Sequence, residues 1–212
     1  MKKMVFIAAL LGLLFCFAGC GAALRNGSPE NSNETAEKNS GQAGPGAAGP
    51  YTVDTKISEV INDPVFGEYG RLLFPVNSAY YSGDTLGELR LTWYSNIDAN
   101  KTVEIVNSLR SRAAAGETVF YDIYTEKEKE ADAEKRDTGL FFFKGNPGGK
   151  FAVCNAGGGF AYVGAMHDSF PHALELSKKG YNAFALIYRP GAQTACEDLA
   201  RAIRFIFEHA EE

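Results

Sequence analysis

From Phe151 onward the hydrophobic period of the sequence switches in a fixed order, and that order constrains the fold more than any other feature of the chain. "KFAVCNA" is a short apolar, β-type run, and three consecutive glycines, Gly157, Gly158 and Gly159, follow it directly. A helix is then expected roughly from Pro171 to Lys179, capped by Asp168 or Ser169 and stopped at Gly180. "YNAFALIY" reads as the next strand. "TACE", Thr194 to Glu197, has the spacing of a capping box, and Leu199, Ile203 and Ile206 supply the apolar stripe of the helix it would open. Strand, glycine turn, helix, strand, helix predicts an α/β fold whose sheet is mostly parallel with crossover helices. Three adjacent glycines cost chain entropy on folding, so they imply a tight turn or a close approach of bare backbone to a ligand.

Upstream the signals are more mixed. Asp98 or Asn100 can cap a helix with apolar positions Val103, Val106, Leu109 and Ala113, ended by Gly116. "TVFYDIY" suits a strand, and the charged "TEKEKEADAEKRD" suits a solvated loop or helix face. "GLFFFKG" and "KFAVCNA" are two further strands joined by the turn residues "GNPGG", a connection that permits a hairpin. Residues 51–136 read as a lead-in and helical segment without assigned chemistry. Trp93 and Tyr94 could lie near a substrate, although core packing is the better assignment for a single tryptophan.

The first residues, "MKKMVFIAALLGLLFCFAGC", place Lys2 and Lys3 before a short apolar run and small residues, the pattern of an export signal over residues 1–19. "FAGC" resembles the cleavage box of bacterial lipoproteins, which implies that Cys20 becomes the lipidated first residue, anchored to the outer face of a cell-envelope membrane. An ordinary secretory signal or a single membrane helix is the alternative, and the run is short for a span. Residues 20–50 are polar and small, a flexible linker. About 160 residues remain, enough for one domain with a sizeable core. The leader takes two of the 21 basic residues and none of the 26 acidic ones, leaving a net charge of −7 with histidine neutral. Nucleic acid is thereby disfavoured as a partner. Cys154 and Cys196 are expected to be buried thiols rather than a disulfide, and no cysteine and histidine spacing implies a metal or another cofactor.

Three chemistries place glycines between strand and helix. A dinucleotide fingerprint requires G-x-G-x-x-G, but Tyr162 stands where the third glycine belongs. A phosphate loop requires a Gly-Lys-Ser/Thr that neither "GNPGGKF" nor "AGGGFAY" supplies. The third is an oxyanion hole, in which backbone N–H groups meet an oxygen that becomes negative during acyl transfer. "AGGGF" resembles the "HGGGF" loop of α/β-hydrolase esterases and lipases. "KKGYNAFALIYRPG" and "CEDLARAIRFI" resemble the following helix end, strand, Tyr-Arg turn and helix of the same superfamily. The resemblance covers roughly Leu140 to Glu212. It implies the amino-terminal part of an α/β-hydrolase sheet over residues 51–212, with the oxyanion-loop half at 137–212, and hydrolysis of a small-molecule carboxyl ester.

By the same resemblance the oxyanion donors are the N–H groups of Gly157 and Gly158, with Gly159 helping the turn; Phe160, Tyr162 and His167, close by in the sequence, are the candidate substrate-binding residues. Ala156 replaces the family's histidine. No G-x-S-x-G occurs, and "FEHAEE" falls where a helix should lead to the nucleophile's strand, so the chain is expected to be truncated before the Ser-Asp/Glu-His triad and inactive alone. His167, Asp168, Ser169 and His172 look like triad ingredients but, as neighbours, are expected to be caps and cleft-mouth residues. His209 is expected to be a surface residue near a helix end. The strand carrying the glycines would be flanked by the family's fourth strand on one side and open on the other, which predicts self-association through that edge. Two further readings stand beside the enzyme: a non-catalytic ligand-binding lipoprotein, with Phe160, Tyr162 and Tyr188 lining a cleft, and the product of an interrupted gene.

Overall fold

β-type runs buried on both faces belong in the middle of a sheet, and half-exposed ones at its rim. The structure, a computed structural model, describes residues 49–74, 78–91 and 97–210. Gly139–Phe143 (β4) and Asn182–Ile187 (β6) are buried along most of their length, whereas Phe151–Asn155 (β5) is exposed or half-buried throughout. With Phe120–Tyr121 (β3) they form a four-stranded mixed sheet in the order β3-β4-β6-β5. β4 runs antiparallel to both neighbours, and only β5 and β6 are parallel, with Val153 opposite Phe184. The sheet is therefore mixed and not the mostly parallel one expected: the strand, helix, strand order from Phe151 sets a single pairing, and β3 and β4 join antiparallel.

The hairpin permitted by "GNPGG" does not form, because β6 lies between β4 and β5. The linking turn instead wraps the start of β6: Gly145 N–H donates to Asn182 Oδ1, Asn182 N–H to the Lys150 carbonyl, and Asn146 N–H to the Gly180 carbonyl. Pairing was decided by burial, since β6 has more apolar surface to cover than β5.

Side chains alternate across the sheet. Phe141 and Phe143 pack on Phe170 of the helix Ser169–Lys178, with ring centroids 5.0 and 5.7 Å apart. Phe142, pointing the other way, stacks on Phe184 at 4.8 Å beside Tyr121, which meets Phe205 of the helix Ala192–Glu208. A two-stranded hairpin, Tyr81–Ser82 (β1) with Arg90–Leu91 (β2), lies apart from this sheet. Ile57–Ile61 (α1), Ala99–Ala114 (α2) and Glu126–Ala131 (α3) precede the helices Ser169–Lys178 (α4) and Ala192–Glu208 (α5). Tyr51 ties in the start of the packed chain: its hydroxyl donates to Asp63 at 2.5 Å and its ring lies under the Arg110 guanidinium.

α2 follows its sequence signals, with Asp98 Oδ1 accepting from Lys101 N–H and Gly116 taking a positive φ beyond its end. Its buried stripe is Thr102, Ile105, Val106 and Leu109, with Val103 and Ala113 at the margins. The charged run is more ordered than a solvated loop. Thr125 and Glu128 close a capping box on α3, and the buried Lys129 pairs with Asp122 and Glu126.

α5 starts at Ala192, before the expected capping box. Gly191, at φ +101°, lets the helix begin early, so Thr194 falls in its first turn and its hydroxyl donates to the Pro190 and Gly191 carbonyls. The buried face consequently holds Ala195, Asp198, Ala202 and Ile206, while Ile203 is exposed. Cys154 is half-buried on β5, but Cys196 lies on the exposed face of α5, contrary to the expectation of two buried thiols.

On its outer side β5 has no partner strand among the described residues. Phe151 on β5 is 41 % exposed and meets Phe207, 57 % exposed, at 5.5 Å. No helix among the described residues is long and apolar enough to cross a membrane. The leader, Cys20, nearly all of the linker, Trp93 and Tyr94 lie outside the described residues.

Candidate functional site

In a sheet with parallel strands, ligands are received beyond the carboxyl ends of those strands. β5 ends at Asn155, and the glycine turn leaves from there beside the end of β6. Each peptide of the turn is planar and trans, so its C=O and N–H point in opposite directions. Gly164 N–H donates to the Gly157 carbonyl at 3.0 Å, which turns the Gly158 N–H of the same peptide the opposite way. Ala161 N–H donates to the Gly158 carbonyl at 3.0 Å, and the Gly159 N–H is turned away in the same manner. Among the described residues the N–H groups of Gly158, Gly159 and Phe160 have no partner.

Glycine is required at 158. Its φ is +145°, and a Cβ there would stand 1.9 Å from the Tyr162 carbonyl oxygen. Phe160 adopts φ +61° although it carries a side chain, a conformation that costs about 1–2 kcal/mol and is held by Gly191 N–H donating to its carbonyl at 2.7 Å. Strained residues held in place by their surroundings are found where a chain meets a ligand.

The other end of the turn is fixed by side chains. The Ala156 carbonyl accepts the Tyr188 hydroxyl at 2.9 Å, and the Gly157 N–H donates to Asp168 Oδ2 at 2.7 Å. One of the two donors expected from the sequence is therefore already bonded, and the partnerless amides begin one residue later. Asp168 and Ser169 were expected to cap α4, yet neither makes a side-chain cap bond. The Ser169 hydroxyl is buried without a partner.

Phe160 is 48 % exposed beside the partnerless amides. Tyr162, expected on the substrate side, is buried, stacked on Tyr80 at 4.6 Å and edge-on to Tyr81. His167 is half-buried, with Nδ1 3.4 Å from the Tyr81 hydroxyl, and burial lowers its pKa against the opposing charge of Asp168. Tyr188 is buried beneath the turn rather than lining a cleft. His172 is exposed, with Nδ1 3.3 Å from Asp168 Oδ1. Ser169 thus has no base, and the four neighbours form no triad. Burial pushes the Cys154 thiol up to about 11, so it stays protonated at neutral pH and is no nucleophile. His209 is exposed at the end of α5, stacked on Phe205.

Sequence reasoning missed Tyr188 and Asp168 as supports of the turn. A signal for the second was present: Pro171, three residues after Asp168, has no N–H for a cap to accept. Beyond β6, Arg189 is bonded through its backbone and guanidinium to the buried Asp198, with Asp132 and the Tyr124 hydroxyl completing the cluster. A cavity of about 580 Å³ lies elsewhere, lined by the β1–β2 hairpin and Ile97, and includes no residue of the glycine turn. No group of three His, Cys, Asp or Glu side chains able to hold a metal occurs among the described residues. No family model, curated protein or solved structure matches the chain.

Proposed function

We propose that residues 51–212 are the oxyanion-loop half of a lipid-anchored carboxyl-ester hydrolase of the α/β-hydrolase type, held at the cell surface through Cys20. The observation that carries this reading is the row of partnerless N–H groups at Gly158, Gly159 and Phe160, beyond the end of β5. Such donors favour an oxygen gaining negative charge, and in a working hydrolase one of them is worth about 10²–10³ in turnover. The oxyanion assignment accordingly moves from Gly157 and Gly158 to Gly158 and Gly159. The sheet supports the reading: β5, which carries the glycines, lies beside its parallel neighbour β6, as the resemblance implies. Phe160 offers an apolar wall to a small-molecule ester. No G-x-S-x-G lies within these residues, so the part played by residues 51–212 in this reading is to bind the ester oxygen.

Titration of the ¹⁵N-labelled chain with benzoate, an ester-hydrolysis product, tests the reading. Saturable shifts of the Gly158 and Gly159 amides, with no release of p-nitrophenol from p-nitrophenyl acetate, are expected. Unmoved amides would remove the oxyanion assignment. A non-catalytic binding lipoprotein is the second reading, favoured by Asp168, whose fixed carboxylate works against charge developing nearby. Under it, neutral esters shift the amides and benzoate does not.

A further inference from the structure

A residue preceding a helix ordinarily offers its side-chain oxygen to an N–H two or three positions on. Asp168 does not, and at the third position Pro171 has no N–H to give. Its carboxylate crosses instead to Gly157, where a Cβ would stand only 3.3 Å from Oδ2. The peptide it grips is held from both ends, since the Ala156 carbonyl of that same peptide accepts the Tyr188 hydroxyl. Orienting this peptide fixes where the backbone enters Gly158, and so where the next amides point.

We infer that Asp168 is a positioning residue, a latch that holds the Ala156–Gly157 peptide and orders the donor row of Gly158 to Phe160, standing in for the side-chain anchor that Ala156 cannot supply. Its charge also faces the His172 ring on α4, His167 in the preceding turn, Cys154 on β5 and Tyr188 after β6. The inference rests on the oxyanion reading only for what the ordered amides serve, because the bonds themselves are made without ligand.

The test compares the amide proton of Gly157 in the full ¹⁵N-labelled chain with that in Asp168→Asn and Asp168→Ala. It lies downfield in the wild-type chain, moves upfield in Asp168→Asn, where a neutral amide oxygen replaces the carboxylate, and further in Asp168→Ala. In Asp168→Asn, and more strongly in Asp168→Ala, exchange of the bonded turn amides Gly157 and Gly164 quickens about tenfold, the scale of a lost charge-assisted hydrogen bond, while the α2 amides are unchanged. A Gly157 amide proton unmoved in both variants, or exchange of Gly157 and Gly164 unaltered in both, would overturn the latch. A Gly157 amide that moves in Asp168→Ala, in a chain whose amides benzoate leaves unmoved, keeps the latch and loses the ester reading.

Discussion

Gly158 has two independent reasons to be glycine, a positive φ and a carbonyl oxygen where its Cβ would be. Gly158→Ala is expected to lower stability by at least about 2 kcal/mol, visible as a lower melting temperature. Phe160 poses the opposite case. Its φ of +61° is better suited to asparagine, so Phe160→Asn is expected to raise stability by roughly 0.5 kcal/mol while weakening binding of aromatic esters. A variant both less stable and unaltered in binding would count against a ligand-facing Phe160. The three glycines were plain in the sequence, but which of their amides stay free was not. That depends on Asp168 and Gly164 reaching back across the turn, and no local pattern encodes those bonds.

At the scale of elements, α2 and β6 were legible because each carries its own boundaries: Asp98 and Gly116 for the helix, a continuous apolar run for the strand. Partner choice was not, since "GNPGG" is compatible with a hairpin and only the burial demand of β6 excludes it. The start of α5 differs from the expected one because the helix opens at Gly191, which carries no side-chain cap, and Thr194 in the first turn bonds back to the Pro190 and Gly191 carbonyls instead of capping. The turn between β6 and α5 is held by the Arg189, Asp198 and Tyr124 cluster, and it carries a pH signature. Burial pushes the Tyr124 hydroxyl up to about 12, with Asp198 adding to the shift. Unfolded, a tyrosine ionises near about 10. The folded state therefore keeps a proton that the unfolded state has lost, and stability that is full below about pH 10 falls as the pH rises toward about 12. Tyr51, Tyr69 and Tyr188, raised chiefly by burial, act in the same direction. Denaturant unfolding across this range should show the decline, and Tyr124→Phe should make it shallower.

For the whole molecule, the outer edge of β5 has no partner strand among the described residues, and the exposed Phe151 and Phe207 meet beside it. Unpaired strand edges with apolar flanks recruit further strands. The chain is expected to self-associate in sedimentation experiments, and Phe151→Lys to shift it toward monomer; a wild-type chain that sediments as a monomer would remove this expectation. Cys20→Ser is expected to move the protein from the membrane fraction to the soluble one, and an unchanged distribution would contradict lipid anchoring. The central claim is that the amides of Gly158 and Gly159 receive a substrate oxygen. A crystal structure of the chain with benzoate tests it most directly. The account predicts a carboxylate oxygen within hydrogen-bonding distance of both amides, with the Asp168 bond to Gly157 intact; a ligand that leaves both amides untouched would contradict it.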